Sequence, residues 1–426
     1  MVNAPHERML HTPAGLNTLP KEWYWARLDE VCDGIFDCPH STPTISPFGP
    51  LMVRSQDIRT GFFRVDEAAH VSEETYCERT RRTEPRYGDL FYSREGTYFG
   101  IAAEVPAEKK VCLGQRMVLI RPNARIAHYR FLRYWLNSHF LAAHVYGFKD
   151  GSVAERLNLP TIRALPVAMP PMAEQQAIAY ILGSLDDKTE INRRMNATLE
   201  AMARALFRSW FVDFDPVQAK AAGQQPDGMD SATAALFPDS FVDSPLGRVP
   251  KDWKVRKLSE VVELAYGKAL KDTDRLPGAI PVYGSNGQVG WHCEASVKGP
   301  GIIVGRKGNP GIVTRVMTDF FPIDTTFYIK WITDISFTYL YFTLGSLNLS
   351  SLGSDSAVPG LNRNIAYMSD ILVPCQEVLT AFEDTVIAFF RFIHENDEQS
   401  TALGAIRNLL LPKLLSGEIR VQEIMA

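Results

Sequence analysis

Two glycine-bounded turns carry the residues best suited to grip a polyanion or read a nucleobase. Ser93, Arg94, Glu95 and Thr97 follow the apolar run Leu90-Phe-Tyr, and Arg306, Lys307 and Asn309 follow Ile302-Ile-Val. A guanidinium can bond guanine O6 and N7 together, and a carboxamide can do the same for adenine. Both can also hold phosphate oxygens. Further donors lie in Val53-Arg54-Ser-Gln56-Asp57, Leu113-Gly-Gln115-Arg116 and Tyr283-Gly-Ser285-Asn286-Gly287. Any one of these reads equally as an ordinary solvated turn. The arginine turn occurs twice at equivalent positions, which favours a shared nucleic-acid-facing element. Arg79, Arg81, Arg82 and Arg86 form a basic run suited to phosphate contact or to plain solubility.

Signatures of catalysis are missing. No glycine-rich loop ends in Gly-Lys-Ser/Thr, since Lys307 precedes Gly308 and Pro310 follows. Asp213-Phe-Asp-Pro216 lacks the second proline of an amino-methyltransferase motif, and no Asp…Glu-x-Lys nuclease pattern occurs. Asp186-Asp187-Lys188 reads as a solvated helix face. Cys32 and Cys38 lie near His40, but no second Cys/His pair follows at zinc spacing. The expectation is a chain with no catalytic residue, no metal and no cofactor of its own.

The elements that position these turns are themselves repeated. Leu19-Pro-Lys-Glu-Trp23 recurs as Val249-Pro-Lys-Asp-Trp253, and Val167-Ala-Met-Pro170 as Ile371-Leu-Val-Pro374. The strand-like run Met117-Val-Leu-Ile120 matches Thr326-Phe-Tyr-Ile329 in the same order, and Leu157-Asn158 matches Leu361-Asn362. The first copy is the longer, so it must hold extra loops or elements. After each closing proline a helix of about 40 residues is predicted, over 172–211 and 376–415.

Ile181, Leu185, Lys188, Asn192, Met195, Leu199, Met202 and Leu206 step at coiled-coil spacing in the first helix. Thr385, Phe389, Phe392, Asn396, Gln399, Leu403, Ile406 and Leu410 do so in the second. Asn192 and Asn396 sit near the two midpoints, so antiparallel packing would bring them together. A polar pair there weakens the seam but penalises slipped registers; the alternative is that both face solvent. Residues 218–245, rich in Ala, Gly, Gln, Ser and Pro, read as a linker.

Composition bounds the partners. The 426 residues are 46% hydrophobic and 22% charged, typical of a folded protein of two or three domains. The formal charge of −4 argues against a protein wrapped in nucleic acid by one large basic surface. It divides unevenly, however. Residues 19–165 hold 20 Lys+Arg against 18 Asp+Glu, and residues 250–370 hold 13 against 11, so the acidity lies in the remainder. Six scattered cysteines form no disulfide framework, and no apolar signal core or membrane-length run is present, so a cytoplasmic location is expected.

With these residues in view, the chain resembles the specificity subunit of type I DNA restriction–modification systems. The resemblance rests on Leu19-Pro-Lys-Glu-Trp23, Ser93-Arg-Glu-Gly96, Leu165-Pro-Val-Ala-Met-Pro-Pro171 with Glu174-Gln-Gln176, and Ser209-Trp-Phe-Val-Asp-Phe-Asp-Pro216. It continues through Leu236-Phe-Pro-Asp-Ser240, Gly305-Arg-Lys-Gly-Asn309 and Leu411-Pro-Lys-Leu-Leu-Ser-Gly417. Pro374-Cys-Gln-Glu377 departs from the usual Pro-Pro…Glu-Gln pattern.

The resemblance implies an α+β fold of two tandem-repeat α/β target-recognition domains, separated by two conserved helices that form an antiparallel coiled coil. The expected segments are a tail over 1–18, recognition domains over 19–170 and 249–374, helices over 171–215 and 375–420, a linker over 216–248 and a tail over 421–426. Each domain would read one half of a bipartite, asymmetric site on double-stranded DNA. The coil would set the spacer and dock two modification (methyltransferase) subunits, with restriction/translocase subunits joining them. S-adenosylmethionine, ATP and Mg would belong to those partners, which carry the N6-adenine methylation and ATP-dependent cleavage. The rival expectation is a coiled-coil protein scaffold that touches no DNA.

Overall fold

The computed structural model describes residues 12–13, 16, 18–96, 99–146, 156–352 and 360–421. The chain forms two compact units. One comprises Met1–Glu190 with Ser400–Ala426, and the other comprises Ile191–Gln399. The expected tails lie almost wholly outside the described residues.

In the first unit β1 (Tyr24–Arg27) is followed by β2 (Cys32–Asp37), β3 (Ser46–Val53) and β4 (Ala69–His70). After α1 (Glu73–Thr80) come β5 (Leu90–Ser93), β6 (Ala102–Glu104), β7 (Val111–Leu113), β8 (Met117–Pro122), α2 (Tyr129–Leu136) and β9 (Pro166–Met169). A four-stranded antiparallel sheet has the order β2-β8-β5-β6, and a three-stranded sheet has the order β4-β3-β7. β1 pairs with β9, Tyr24 opposite Met169.

The second unit repeats this topology. Its strands are β10 (Lys254–Lys257), β11 (Val262–Tyr266), β12 (Ile280–Gly284), β13 (Gly287–His292) and β14 (Gly301–Gly305). They continue as β15 (Val313–Val316), β16 (Phe321–Pro322), β17 (Thr326–Trp331) and, beyond α4 (Phe337–Ser346), β18 (Asp370–Val373). The sheets run β11-β17-β14-β15 and β13-β12-β16, and β10 pairs with β18. In both units the three-stranded sheet has one antiparallel and one parallel pair. The added length of the first copy lies largely between Val53 and Leu90, as a short hairpin (Ile58–Arg59 with Phe62–Phe63) and α1.

Alternation along the strands explains why both faces of each large sheet are covered. Leu90, Tyr92, Val118 and Ile120 enter the core beneath α2, whereas Phe91, Met117 and Leu119 enter a second cluster with Leu51, Val53 and Val111. In the second unit Ile302, Val304, Phe327 and Ile329 face one core, and Ile303 faces the cluster of Val316 and Phe320. Each fully buried Leu, Ile or Phe contributes about 1.5–3 kcal/mol, so these strands hold the turns at their ends rigidly.

Each unit is closed by parts of two long helices, α3 (Met172–Phe211) and α5 (Gln376–Ser416). Pro170 and Pro171 precede α3, and Phe214 follows it in the left-handed region at φ 57°. The helices run antiparallel within both units. In the first, Ile178, Ala179 and Leu182 share a core with Leu414 and Leu415. In the second, Phe207, Trp210 and Phe211 pack on Phe382.

The buried stripe overlaps the predicted seam in part: Asn192 is buried, and Ile181, Leu199, Leu206, Phe389 and Leu410 pack against the two cores. Met195 and Met202 are exposed, at 44% and 49%, while Ala203, Phe207 and Trp210 are buried. On α5, Thr385 and Phe392 face outward, and Val386, Phe390 and Ile393 are buried. Towards the C-terminal end of α3 the packed face widens by one residue beyond Leu199 and Leu206 to Ala203, Phe207 and Trp210, because the large aromatics there set the packing. Scattered methionines do not set it. The stretch read as a linker also folds. It holds short helices at Asp215–Ala221 and Ser231–Ala235 and a hairpin of Phe241–Ser244 with Gly247–Pro250. Val217 and Phe237 anchor it in the core, and Lys220 Nζ donates to the carbonyls of Ala234 and Phe237. Composition alone hid those two anchors.

Candidate nucleic-acid interface

In each unit three turns converge at the same end of the sheets. In the first, the Gly114 amide donates to the Val53 carbonyl at 2.8 Å, and the Arg94 amide to the Arg116 carbonyl at 3.0 Å. In the second, Ile323 donates to Tyr283 at 2.9 Å and Arg306 to Thr325 at 2.9 Å. The carbonyl of each turn arginine accepts the amide of Leu157 or Leu361, both at 2.8 Å. Asn158 and Asn362 then cap the short helices that follow. Glycine is required where the turns reverse. Gly96 and Gly308 have φ of 98° and 83°, and a Cβ at either would lie 3.6 and 3.4 Å from Ser55 Oγ and Ser285 Oγ.

The expected donors of the first unit are brought together, yet most are spent inside the fold. Ser93 is fully buried and donates to the Glu95 carbonyl, so it cannot meet a ligand. Arg94 Nη1 donates to both Asp37 oxygens at 2.8 and 2.9 Å. Arg54 holds the buried Asp57 carboxylate through Nε and Nη2, both at 2.8 Å. Gln115 donates to the His40 carbonyl at 3.0 Å. Gln56 and Arg116 remain on the surface, with Arg116 Nε 3.2 Å from Glu95. Thr97 lies outside the described residues. The basic run divides similarly. Arg79 is buried and donates to the carbonyls of Leu113, Ser41 and Pro39, whereas Arg81 and Arg82 are exposed.

The second unit presents its donors differently. Asn286, Lys307 and Asn309 are exposed, and Ser285 is half-buried beside Gly308. Arg306 lies with Cζ 4.7 Å from the Tyr266 ring centroid and donates to the Asp324 carbonyl at 3.0 Å. Arg363 covers the same tyrosine at 4.9 Å. Sequence reasoning missed Asp37, Tyr266 and Arg363. Asp37 and Tyr266 end strands rather than sit in polar turns, and their arginine partners are distant in the chain.

The midpoint asparagines also meet. Asn192, fully buried, donates from Nδ2 to the Asn396 carbonyl at 3.3 Å and to Gln399 Oε1 at 2.9 Å. Asn396 Nδ2 donates to Asn196 Oδ1 at 2.8 Å, and Asn196 donates to Asp397 at 2.8 Å. Asp186 departs from its reading as a solvated residue. It is buried and accepts from Arg133, Tyr134 and Arg407. Burial pushes the Cys32 thiol up to about 12 and raises Cys38 as well, which keeps both protonated. Among the described residues no helix is long and apolar enough to cross a membrane.

Comparison with known proteins agrees with this geometry. The family model described as the type I restriction modification DNA specificity domain matches residues 87–201. The HindI specificity subunit of Haemophilus influenzae is 25% identical over 411 residues, covering 78% of this chain and 86% of that protein. The MjaIX specificity subunit of Methanocaldococcus jannaschii is 24% identical, covering 69% and 70%. The crystal structure of a type I restriction–modification S subunit from M. genitalium superposes with a TM-score of 0.62. It is 17% identical and covers 95% of this chain and 98% of that one. The two sheet modules, each closed by parts of both long helices, share their fold with that S subunit. The chain carries a match to the type I restriction modification DNA specificity domain over residues 87–201 and is similar over most of its length to specificity subunits of type I restriction enzymes.

Proposed function

We propose that each module reads one half of a bipartite, asymmetric site on double-stranded DNA and that the paired helices set the unread spacer. The observation that carries this reading is the duplicated convergence of three turns, fixed by matching backbone hydrogen bonds yet bearing different side chains. One scaffold with two unlike surfaces suits a site whose halves differ. Gln56 and Arg116 in one module, and Asn286, Lys307 and Asn309 in the other, are the exposed donors available to bases and phosphates.

The chain acts without catalysis of its own. Two modification subunits, joined by restriction/translocase subunits, supply adenine methylation and cleavage, and S-adenosylmethionine, ATP and Mg serve on them. The outward stripe of Ile191, Met195 and Met202 on α3 offers those partners an apolar strip. Insertion of four or seven residues beside Asn192 tests the reading in cells carrying the complete system. Long-read mapping of methyladenine should find the same half-sites separated by a longer spacer. Altered half-sites with an unchanged spacer would reject it.

A further inference from the structure

The turn arginines of the two modules occupy one structural position but have different neighbours. Val118 in β8 lies between Asp37 and Tyr92, and Phe327 in β17 lies between Tyr266 and Val304. Tyr92 stands two residues before Arg94, and Val304 two before Arg306. Asp37 and Tyr266 are therefore equivalent: each closes the outer strand of its sheet beside the arginine.

Their chemistry is opposite. Asp37 takes Arg94 Nη1 on both oxygens, and the two side chains are only 20% and 15% exposed. That pair is locally neutral and held by the fold. Tyr266 offers Arg306 a ring face, which attracts the guanidinium without cancelling its charge. Tyr266 is 49% exposed, and Arg363 also lies over its ring, so two cations flank one aromatic. Among the described residues no carboxylate pairs with either arginine. Lys307 and Lys268 are exposed nearby in sequence on the same unit.

We infer that the residue ending this strand decides whether the turn arginine serves DNA. Tyr266 keeps Arg306 and Arg363 as a cationic pair for the phosphate backbone, while Asp37 retires Arg94 into the fold. The second module then carries more of the salt-dependent grip than the first. This rests on the reading that the chain binds duplex DNA through both modules.

The test is filter binding of the full-length chain to random-sequence duplex and to its own methylated target, through a potassium chloride series. Each phosphate that is no longer neutralised lowers the slope of log K against log salt by about 0.9. Arg306→Ala and Arg363→Ala should each lower the slope by about one and weaken binding about ten-fold on every duplex. Tyr266→Phe should keep wild-type binding, and Tyr266→Asp should match Arg306→Ala because the new carboxylate pairs with the guanidinium. The double variant Arg94→Met with Asp37→Asn, which leaves no buried charge unpaired, should keep the wild-type slope. Equal slope reductions in the two modules would overturn the inference. So would wild-type slopes in both second-module variants, or a weakening confined to the target sequence. In each of those results wild type still binds, and the DNA reading stands. Absence of salt-dependent binding by wild type would reject that reading and the inference with it.

Discussion

The Tyr134 hydroxyl donates to Asp186 at 2.6 Å, and that carboxylate, on a residue only 4% exposed, also takes Arg133 at 3.1 Å and Arg407 at 2.9 Å. Arg133 is equally buried and turns its Nε to Glu104 at 3.0 Å. Burying an ion is costly unless its partners and hydrogen bonds are complete, and removing one partner leaves the other charge stranded. Asp186→Ala should therefore cost about 3–5 kcal/mol in the first unit. Asp186→Asn keeps an acceptor for Tyr134 and should cost less. Urea unfolding of the full chain measures both. A loss below about 1 kcal/mol for the alanine variant would mean that water replaces the carboxylate.

His128 ties stability to pH. It precedes α2, its backbone amide donates to Gln175 Oε1 at 2.9 Å, and its ring stacks on Tyr129. Burial, and then the nearby Arg130 cation, lower its pKa below the ordinary 6.5. A base depressed in the folded state stays neutral there while the unfolded chain takes up a proton. Its contribution is thus complete above the unfolded value and is lost as pH falls from there towards the folded value. The melting temperature should drop between about pH 7.5 and pH 5.5, and His128→Gln should shrink that drop by about 1–3 °C. An identical drop in the variant would assign the pH response to other groups.

Much of this architecture was legible because it is written twice. The Trp23/Trp253 and Pro170/Pro374 repeats mark the two copies and the start of each long helix, whereas the β1–β9 and β10–β18 pairings that close them were not read from the sequence. The seam was right at Asn192, Leu199 and Leu206 but wrong at Met202, because apolar spacing cannot distinguish an inward Ala203 from an outward Met202 when large aromatics decide the packing. The donors were found as a set, but their availability was not. Arg94 and Arg306 share a motif, and only the residue across the strand, Asp37 or Tyr266, determines whether the guanidinium is spent. Such neighbours lie tens of residues away, and no local pattern announces them.

Asn192 tests whether register matters to recognition. Its carboxamide is buried, and it satisfies the Asn396 carbonyl and Gln399 across the helix pair. Asn192→Ala removes both bonds, one to a half-buried carbonyl and one to the exposed Gln399, at a cost of about 0.5–1.5 kcal/mol apiece. Asn192→Leu restores volume with apolar surface and should recover much of that stability, yet it removes the penalty against slipped pairings. If the paired helices set the spacer, the leucine variant should fold and still methylate the wild-type half-sites, but with minor methylation at spacers one step longer or shorter. Methyladenine mapping resolves those minor classes. A single spacer with unchanged stringency would place register control elsewhere on the helices, with Asn196 and its bonds to Asn396 and Asp397 the next residue to remove.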